Sequence, residues 1–299
     1  MTLLIFLRQS VGRLFNSSFQ EEILLHFESK MSPRESAKKR VLTQLFEECC
    51  QKNNFVFNNT DVRRISSEGS NHFDMTKIDS KEKLPDVLVR HDYAVVHLGS
   101  GNHKFVKGIN NFFHDFEPIQ TKIPWEYRKS ILNLTNDSES NILSVANNQR
   151  ILHDFLFGQD TEFDDVDITK RPKTYFPHRT KITTEYHCGE EKLCLDKQQI
   201  EIDLTIEFKG IVGVFEAKNG SPSSFSVYQI YHPFLYYCLA KQQNSCINGK
   251  IKKIYGVYVV REDVRLSLWK YAFEEPFDMA TIKFLKSATY ILIKPEDKQ

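Results

Sequence analysis

The sequence predicts an α/β protein, with a mixed central sheet flanked by helices and a mostly helical N-terminal region before it. Three observations carry that expectation. Residues 200–208 alternate apolar and polar, turn at Lys209-Gly210 and return as an apolar run, the pattern of paired strands. Apolar residues recur at helical spacing over 41–46 and again over 142–155. A further β-rich run, IKKIYGVYVVRE, begins at Ile251 and is expected to join the sheet beside Glu216.

A chain of 299 residues can bury a proper core as one large domain or two modest ones. Its 23 Phe and 12 Tyr argue against disorder over the bulk of it. The formal charge of +1 neither demands nor excludes a polyanionic partner, because lysines and arginines can be concentrated on one face. The 6 cysteines have no disulfide-framework spacing, so reduced thiols and a cytoplasmic location are expected. No P-loop, GxGxxG or GxSxG pattern occurs, which leaves nucleotide hydrolysis and serine-hydrolase chemistry without support.

From the N-terminus, TLLIFLRQSVGRLF is too short and too interrupted by Arg8 and Arg13 to span a bilayer, and no membrane association is expected. A short helix is expected there, and residues 1–30 are set apart as an extension. Residues 31–130 form an N-terminal α/β region and a candidate DNA-recognition unit. In it SPRESAKKRVLTQLFEECC is expected to be a helix, with Ser32 as cap, Pro33 in the first turn and Glu35 at capping-box spacing. Strands are expected at Val87–Val89 and Ala94–Leu98, separated by a turn at Arg90-His91-Asp92. The tract after Gly99 reads as loop, and Pro124–Trp125 opens a polar region.

Residues 131–299 are expected to form the core. Asn136, Asp137 and Ser138 offer caps for a helix carrying Ile142, Leu143, Ala146, Ile151, Leu152 and Phe155, with Gly158 ending it. Residues 159–198 show weak periodicity. In ITKRPKTYFPHRTK, Lys170, Arg171, Lys173, Arg179 and Lys181 interleave with aromatics, a composition suited to a loop on a nucleic-acid backbone and equally to a solvated basic loop.

The chemistry-bearing segment is QIEIDLTIEFKGIVGVFEAKNG. Glu216 and Lys218 are two apart and share a strand face. Folded about Lys209-Gly210, the hairpin brings Asp203 level with Glu216. Two carboxylates and an amine at the end of an apolar sheet suit a hard cation such as Mg²⁺, held by one or two carboxylates, waters and phosphate oxygens. Asp203 and Glu216 are the metal-ligand candidates and the Ala217 carbonyl a natural third ligand. Lys218 can orient a water or balance transition-state charge. A surface hairpin with an ordinary salt bridge is the competing explanation. Leu84-Pro85-Asp86 lacks a following ExK, and His187, Cys188 and Cys194 lack zinc spacing.

Asp203, the hairpin and Glu216-Ala217-Lys218 together resemble the PD-(D/E)xK nuclease superfamily, with Ile202 where the namesake proline would stand. Gln229-Ile230-Tyr231-His232-Pro233-Phe234 is similar to the signature on the helix after the lysine strand in several branches, and Glu139 stands where many members place a further acidic ligand. The resemblance is closest over residues 198–238, and type II restriction endonucleases are the most similar branch. It implies a restriction-endonuclease-like core, catalytic Asp203, Glu216, Lys218 and Gln229, and Mg²⁺ as cofactor with Mn²⁺ as a substitute. It further implies double-stranded DNA as partner, a homodimer and a cognate methyltransferase encoded nearby. A structure-specific repair or mobile-element nuclease and a non-catalytic DNA-binding module are the alternatives. Buried like charges argue against the module.

Overall fold

The protein is described by a computed structural model covering residues 33–66, 71–126, 138–158, 167, 170–220 and 222–293. The extension 1–30, Ser32, Asn136 and Asp137 lie outside the described residues.

Helices and a hairpin build the N-terminal part. Helix α1 (Pro33–Lys52) buries Val41, Leu42, Leu45 and Phe46, the stripe expected from its spacing. Strand β1 (Val56–Asn58) leads into α2 (Asn59–Ile65), whose start is held by a capping box between Asn58 and Asp61. After α3 (His72–Thr76) and a 3₁₀ turn at Lys81–Lys83 comes α4 (Asp86–His91). Val87–Val89, expected to be a strand, are therefore helical. Pro85 stands just before the first turn, and Asp92 at φ 62 closes the last one. The expected strand at Ala94–Leu98 is present as β2 (Tyr93–Gly99). The expected loop after Gly99 is instead its hairpin partner β3 (Asn102–Lys107). Positive φ at Ser100 and Gly101 gives the twist that a two-residue hairpin needs. With β1 these strands form a three-stranded sheet, so the N-terminal part is α/β, with more of it in helices than in strands. A short helix α5 (Ile109–Phe112) and strand β4 (Phe113–Asp115) complete it.

The central sheet has seven strands. Along it lie β5 (Thr121–Glu126), β14 (Ile282–Ile293), β13 (Arg265–Phe273), β12 (Lys253–Glu262), β10 (Ile211–Asn219), β9 (Leu204–Phe208) and β6 (Lys173–Tyr175). Pro124 and Trp125, expected to open a polar region, thus lie in an edge strand. Their pairing with β14 is parallel, as is that of β10 with β12, and the other neighbours are antiparallel. Strand β12 lies beside Glu216 as expected, with Tyr258 as its partner in the register. The mixed sheet flanked by helices is what forms. Helix α8 (Tyr228–Gln243) makes the crossover that a parallel β10–β12 pair requires. Strand β11 (Ser224–Ser226), just before it, pairs with β4. On the other face lie α6 (Glu139–Asn148) and α7 (Ile151–Phe157). They bury Ile142, Leu143, Ala146, Ile151, Leu152 and Phe155 as expected, but as two helices, because Arg150 at φ 60 breaks the run.

Residues 178–202, much of which lies in the stretch of weak periodicity, form a long ribbon of β7 (His178–Cys188) and β8 (Glu191–Ile202). One of its faces buries Ile182, Tyr186, Leu193, Leu195, Ile200 and Ile202 in the same core as α1, β2 and α8. Leu204 and Ile206, continuing the same alternation, belong to the opposite core with α6 and α7. Asp203, outside either strand, is where the chain passes from one sheet to the other. No helix among the described residues is long and apolar enough to cross a membrane.

Candidate active site

The hairpin register follows the turn. Lys209 and Gly210 both adopt positive φ, 49° and 82°, as a type I′ turn demands. Phe215 then pairs with Leu204, and the next step brings Glu216 beside Asp203. Asp203 Oδ2 accepts a hydrogen bond from the Ala217 N–H at 3.4 Å. The Ala217 methyl is buried in the α6–α7 core, while Glu216 faces the α8 side. Lys218 returns to the Glu216 side, and its Nζ lies 2.9 Å from Glu216 Oε1.

Two helices reach this strand end from opposite faces of the sheet. Helix α6 is capped by Ser138, which accepts from the Asn141 N–H, and this sets Glu139 in the first turn. Glu139 Oε1 is 2.9 Å from Lys218 Nζ, so one ammonium bridges two carboxylates. Helix α8 presents Gln229, whose Nε2 donates to Glu216 Oε1 at 2.7 Å. The Tyr258 hydroxyl donates to Gln229 Oε1 at 3.3 Å, which orients the amide with its NH₂ toward Glu216. A chain of contacts thus runs Tyr258–Gln229–Glu216–Lys218–Glu139.

Burial dominates the electrostatics. Glu216 is 8% exposed, and desolvation lifts its carboxyl to about 8, outweighing the pull of the Lys218 ammonium. Desolvation raises Asp203 too, against the Ala217 N–H and Lys218. Burial works against charge on Lys218, yet Glu216 and Glu139 hold its pKa above the ordinary lysine value. The two adjacent desolvated carboxylates, Asp203 and Glu216, with the Lys218 ammonium on the far side of Glu216, are a donor set that suits a divalent cation. No group of three or more His, Cys, Asp or Glu side chains forms a self-contained metal site among the described residues. Mg²⁺ needs no such group, since waters and substrate oxygens complete its shell.

A cleft of about 540 Å³ opens beside the pair Glu139 and Lys218. Its opposite wall comes from the N-terminal part and carries both signs of charge: Lys38, Lys39 and Lys77, the acids Asp74 and Glu82, and the ion pair of Asp79 with Lys83 at 2.9 Å. No spacing in the sequence points to this wall, because its residues come from separate elements of the N-terminal part. Nor does any point to Tyr258, which shares a strand face with Gly256 and Val260 and carries no motif letter.

The five basic residues expected to touch DNA lie elsewhere, and none lines the cleft. Lys170 and Arg171 precede the edge strand β6. Lys173 pairs with Glu207 at 3.7 Å and Arg179 with Glu201 at 3.2 Å, while Lys181 is exposed on the ribbon. Arg179 and Glu201 nevertheless flank Asp203, since His178 is paired with Ile202. Tyr175, the last residue of the edge strand, and Phe176 just after it are exposed, Phe176 at 81%.

Two family profiles match the chain, each described as a domain of unknown function: DUF6996 over residues 38–105 and DUF6997 over residues 108–291. No curated protein and no solved structure matches it. The boundary between the two profiles crosses the cleft. DUF6996 supplies the wall of mixed charge, and DUF6997 supplies Glu139, Asp203, Glu216, Lys218 and Gln229.

Proposed function

The chain belongs to the DUF6997 family, and we propose that it is a divalent-metal-dependent endodeoxyribonuclease of the PD-(D/E)xK kind. The observation that carries the proposal is the convergence of Asp203, Glu216, Lys218 and Glu139 at one strand end, with Gln229 fixing Glu216 from the following helix. The narrower form proposed is a type II restriction enzyme that cuts double-stranded DNA as a homodimer, since two strands call for two centres. A cytoplasmic setting accords with six cysteines that are all free.

Asp203 and Glu216 are the residues to hold Mg²⁺, with the Ala217 carbonyl beside them and Glu139 at the rim. When bound, the cation polarises the phosphodiester and lowers the pKa of a water. The chain's own residues prepare the rest. Gln229 and Tyr258 keep the Glu216 oxygens turned toward the strand end. The Ala217 N–H anchors Asp203. Lys218, released from Glu139 when phosphate arrives, would orient the attacking water or donate to a non-bridging oxygen as negative charge builds on the phosphoryl oxygens. Lys39 and Lys77 across the cleft offer ammonium groups to the flanking phosphates.

Purified protein incubated with phage and plasmid DNA in Mg²⁺ is expected to give discrete fragments. Cutting confined to branched or flapped substrates assigns the same centre to a structure-specific nuclease. Absence of hydrolysis with both Mg²⁺ and Mn²⁺ on all these substrates removes the proposal.

A further inference from the structure

At the end of the central sheet away from the candidate centre, lysines collect from three separate parts of the chain: Lys209, Lys241, Lys250, Lys252 and Lys253. Backbone contacts bring them together. The Lys252 and Lys253 N–H groups both donate to Gly210 O, at 2.7 and 3.2 Å, which ties the Lys250–Lys253 run to the Lys209-Gly210 turn. Lys241, Lys252 and Lys253 line one groove of about 560 Å³ beside the C-terminal turns of α8. Among the described residues, none of the five has an ion pair with an acidic side chain.

The same sheet end carries two further lysines on the α6–α7 face. Lys270 and Lys286 stand directly opposite each other on β13 and β14, an arrangement in which like charges repel. Each lies over a ring, Lys270 Nζ 4.6 Å from the centre of Tyr255 and Lys286 Nζ 4.6 Å from that of Phe155. Burial, with Lys286 and Lys253 close by, depresses Lys270 to about 8. The groove floor itself is apolar, with Ile251, Ile254, Phe277 and Leu285 reaching the surface. The acidic residues near its edge are Glu274, held by Lys283, and Glu275. In a chain of net charge +1, this concentration of positive charge at one end is a strong local field.

We propose that this groove binds a single strand of nucleic acid, with phosphates on the lysine rim and a base against Phe277 and its apolar neighbours. A groove of this volume admits single bases rather than a duplex, and the flat π-face of any base suits an apolar floor that holds an aromatic ring. Linear charge density favours a polynucleotide over an acidic peptide, because each lysine-bound phosphate releases condensed counterions. The site stands independently of the nuclease proposal. The strand from Gly210 to Glu216 spans about 20 Å at roughly 3.3 Å per residue, so the two sites are physically apart.

The test is binding of a labelled oligothymidine of roughly 16 nucleotides to the full chain in chelator, where metal-dependent hydrolysis cannot occur. The triple variant Lys241→Gln, Lys252→Gln and Lys253→Gln is expected to weaken binding about tenfold or more. It should also flatten the slope of log K against log salt by about 0.7 per lost phosphate contact. Phe277→Leu, which keeps the floor apolar, is expected to weaken binding severalfold without changing that slope. Crosslinking from 4-thiothymidine is expected to map to residues 251–285. Crosslinks confined to the cleft at Lys39 and Lys77, or unchanged affinity in the triple variant with its circular dichroism intact, overturn the proposal. So does tighter binding of a polyglutamate peptide than of the oligonucleotide.

Discussion

Gln229 Nε2 stands 2.7 Å from Glu216 Oε1, so the orientation of a strand carboxylate is set by a side chain on the following helix. The Tyr258 hydroxyl, in turn, decides which end of that amide faces the carboxylate. Partners of this kind behind a metal ligand are worth about 10–100-fold in metal affinity. Gln229→Leu is therefore expected to weaken Mn²⁺ binding by about that factor, measured calorimetrically. Tyr258→Phe is expected to act in the same direction with a smaller effect, and the double variant to be less than additive. Strict additivity would separate the two residues.

Lys218 bridges Glu216 and Glu139 and is the ammonium nearest the candidate centre. Lys218→Met keeps the stem and removes the charge. Cleavage in Mg²⁺ is expected to fall by about 10²–10³, with DNA affinity within a few-fold of the wild-type chain. Asp203→Asn is expected to abolish cleavage by loss of a metal ligand. Plasmid cutting at wild-type rate by either variant would remove the site assignment.

Two desolvated histidines, His232 buried and His97 half-buried, predict acid sensitivity. Burial depresses both His97 and His232 from 6.5 to about 4. The unfolded chain takes up protons as pH falls through 6.5, while the folded protein resists until about 4. Stability is thus full above about 6.5 and lost between there and 4, by on the order of 3 kcal/mol for each histidine. His97 Nδ1 and His103 Nδ1 are 3.0 Å apart and share one proton, so a second proton there has no acceptor. Urea melts from about pH 7 to 4 should show that slope. In His232→Gln, where Gln retains a polar partner for the Tyr186 hydroxyl, the slope should shrink.

Gly256 lets helix α8 lie close on the sheet. A methyl there would come within 3.1 Å of Ile230, the residue next to Gln229. Gly256→Ala is expected to destabilise the fold by about 1–3 kcal/mol and to lower any metal-dependent activity by displacing Gln229. A thermal melt and a cleavage assay on the same preparation check both.

Much of the candidate site could be read from residue spacing because its geometry is local. The type I′ turn and a period of two fix where Asp203, Glu216 and Lys218 fall, and a Ser cap places Glu139. The N-terminal part was harder. Val87–Val89 sit in a helix of only six residues, too short for periodicity to separate helix from strand. NHKFVK looks polar, yet its His103 is buried against Asn59 and His97, a contact invisible without the fold. The far wall of the cleft was not legible, because Lys38, Lys39 and Lys77 come to line the same cleft as Glu139 only through long-range packing.

The break at Asp203 has a mechanical consequence. Ribbon strand β8 lies against the N-terminal hairpin so closely that Gly99 has no room for a methyl beside the Asp196 carbonyl. Further along the same strand, at Ile202, the ribbon ends and the chain is handed over to the sheet holding Glu216. Asp203 therefore sits at the joint between ribbon and sheet, both within residues 108–291, and its carboxylate is anchored from two directions. The packing of β8 on the N-terminal hairpin fixes one side and the Ala217 N–H the other, so the spacing of Asp203 from Glu216 depends on both.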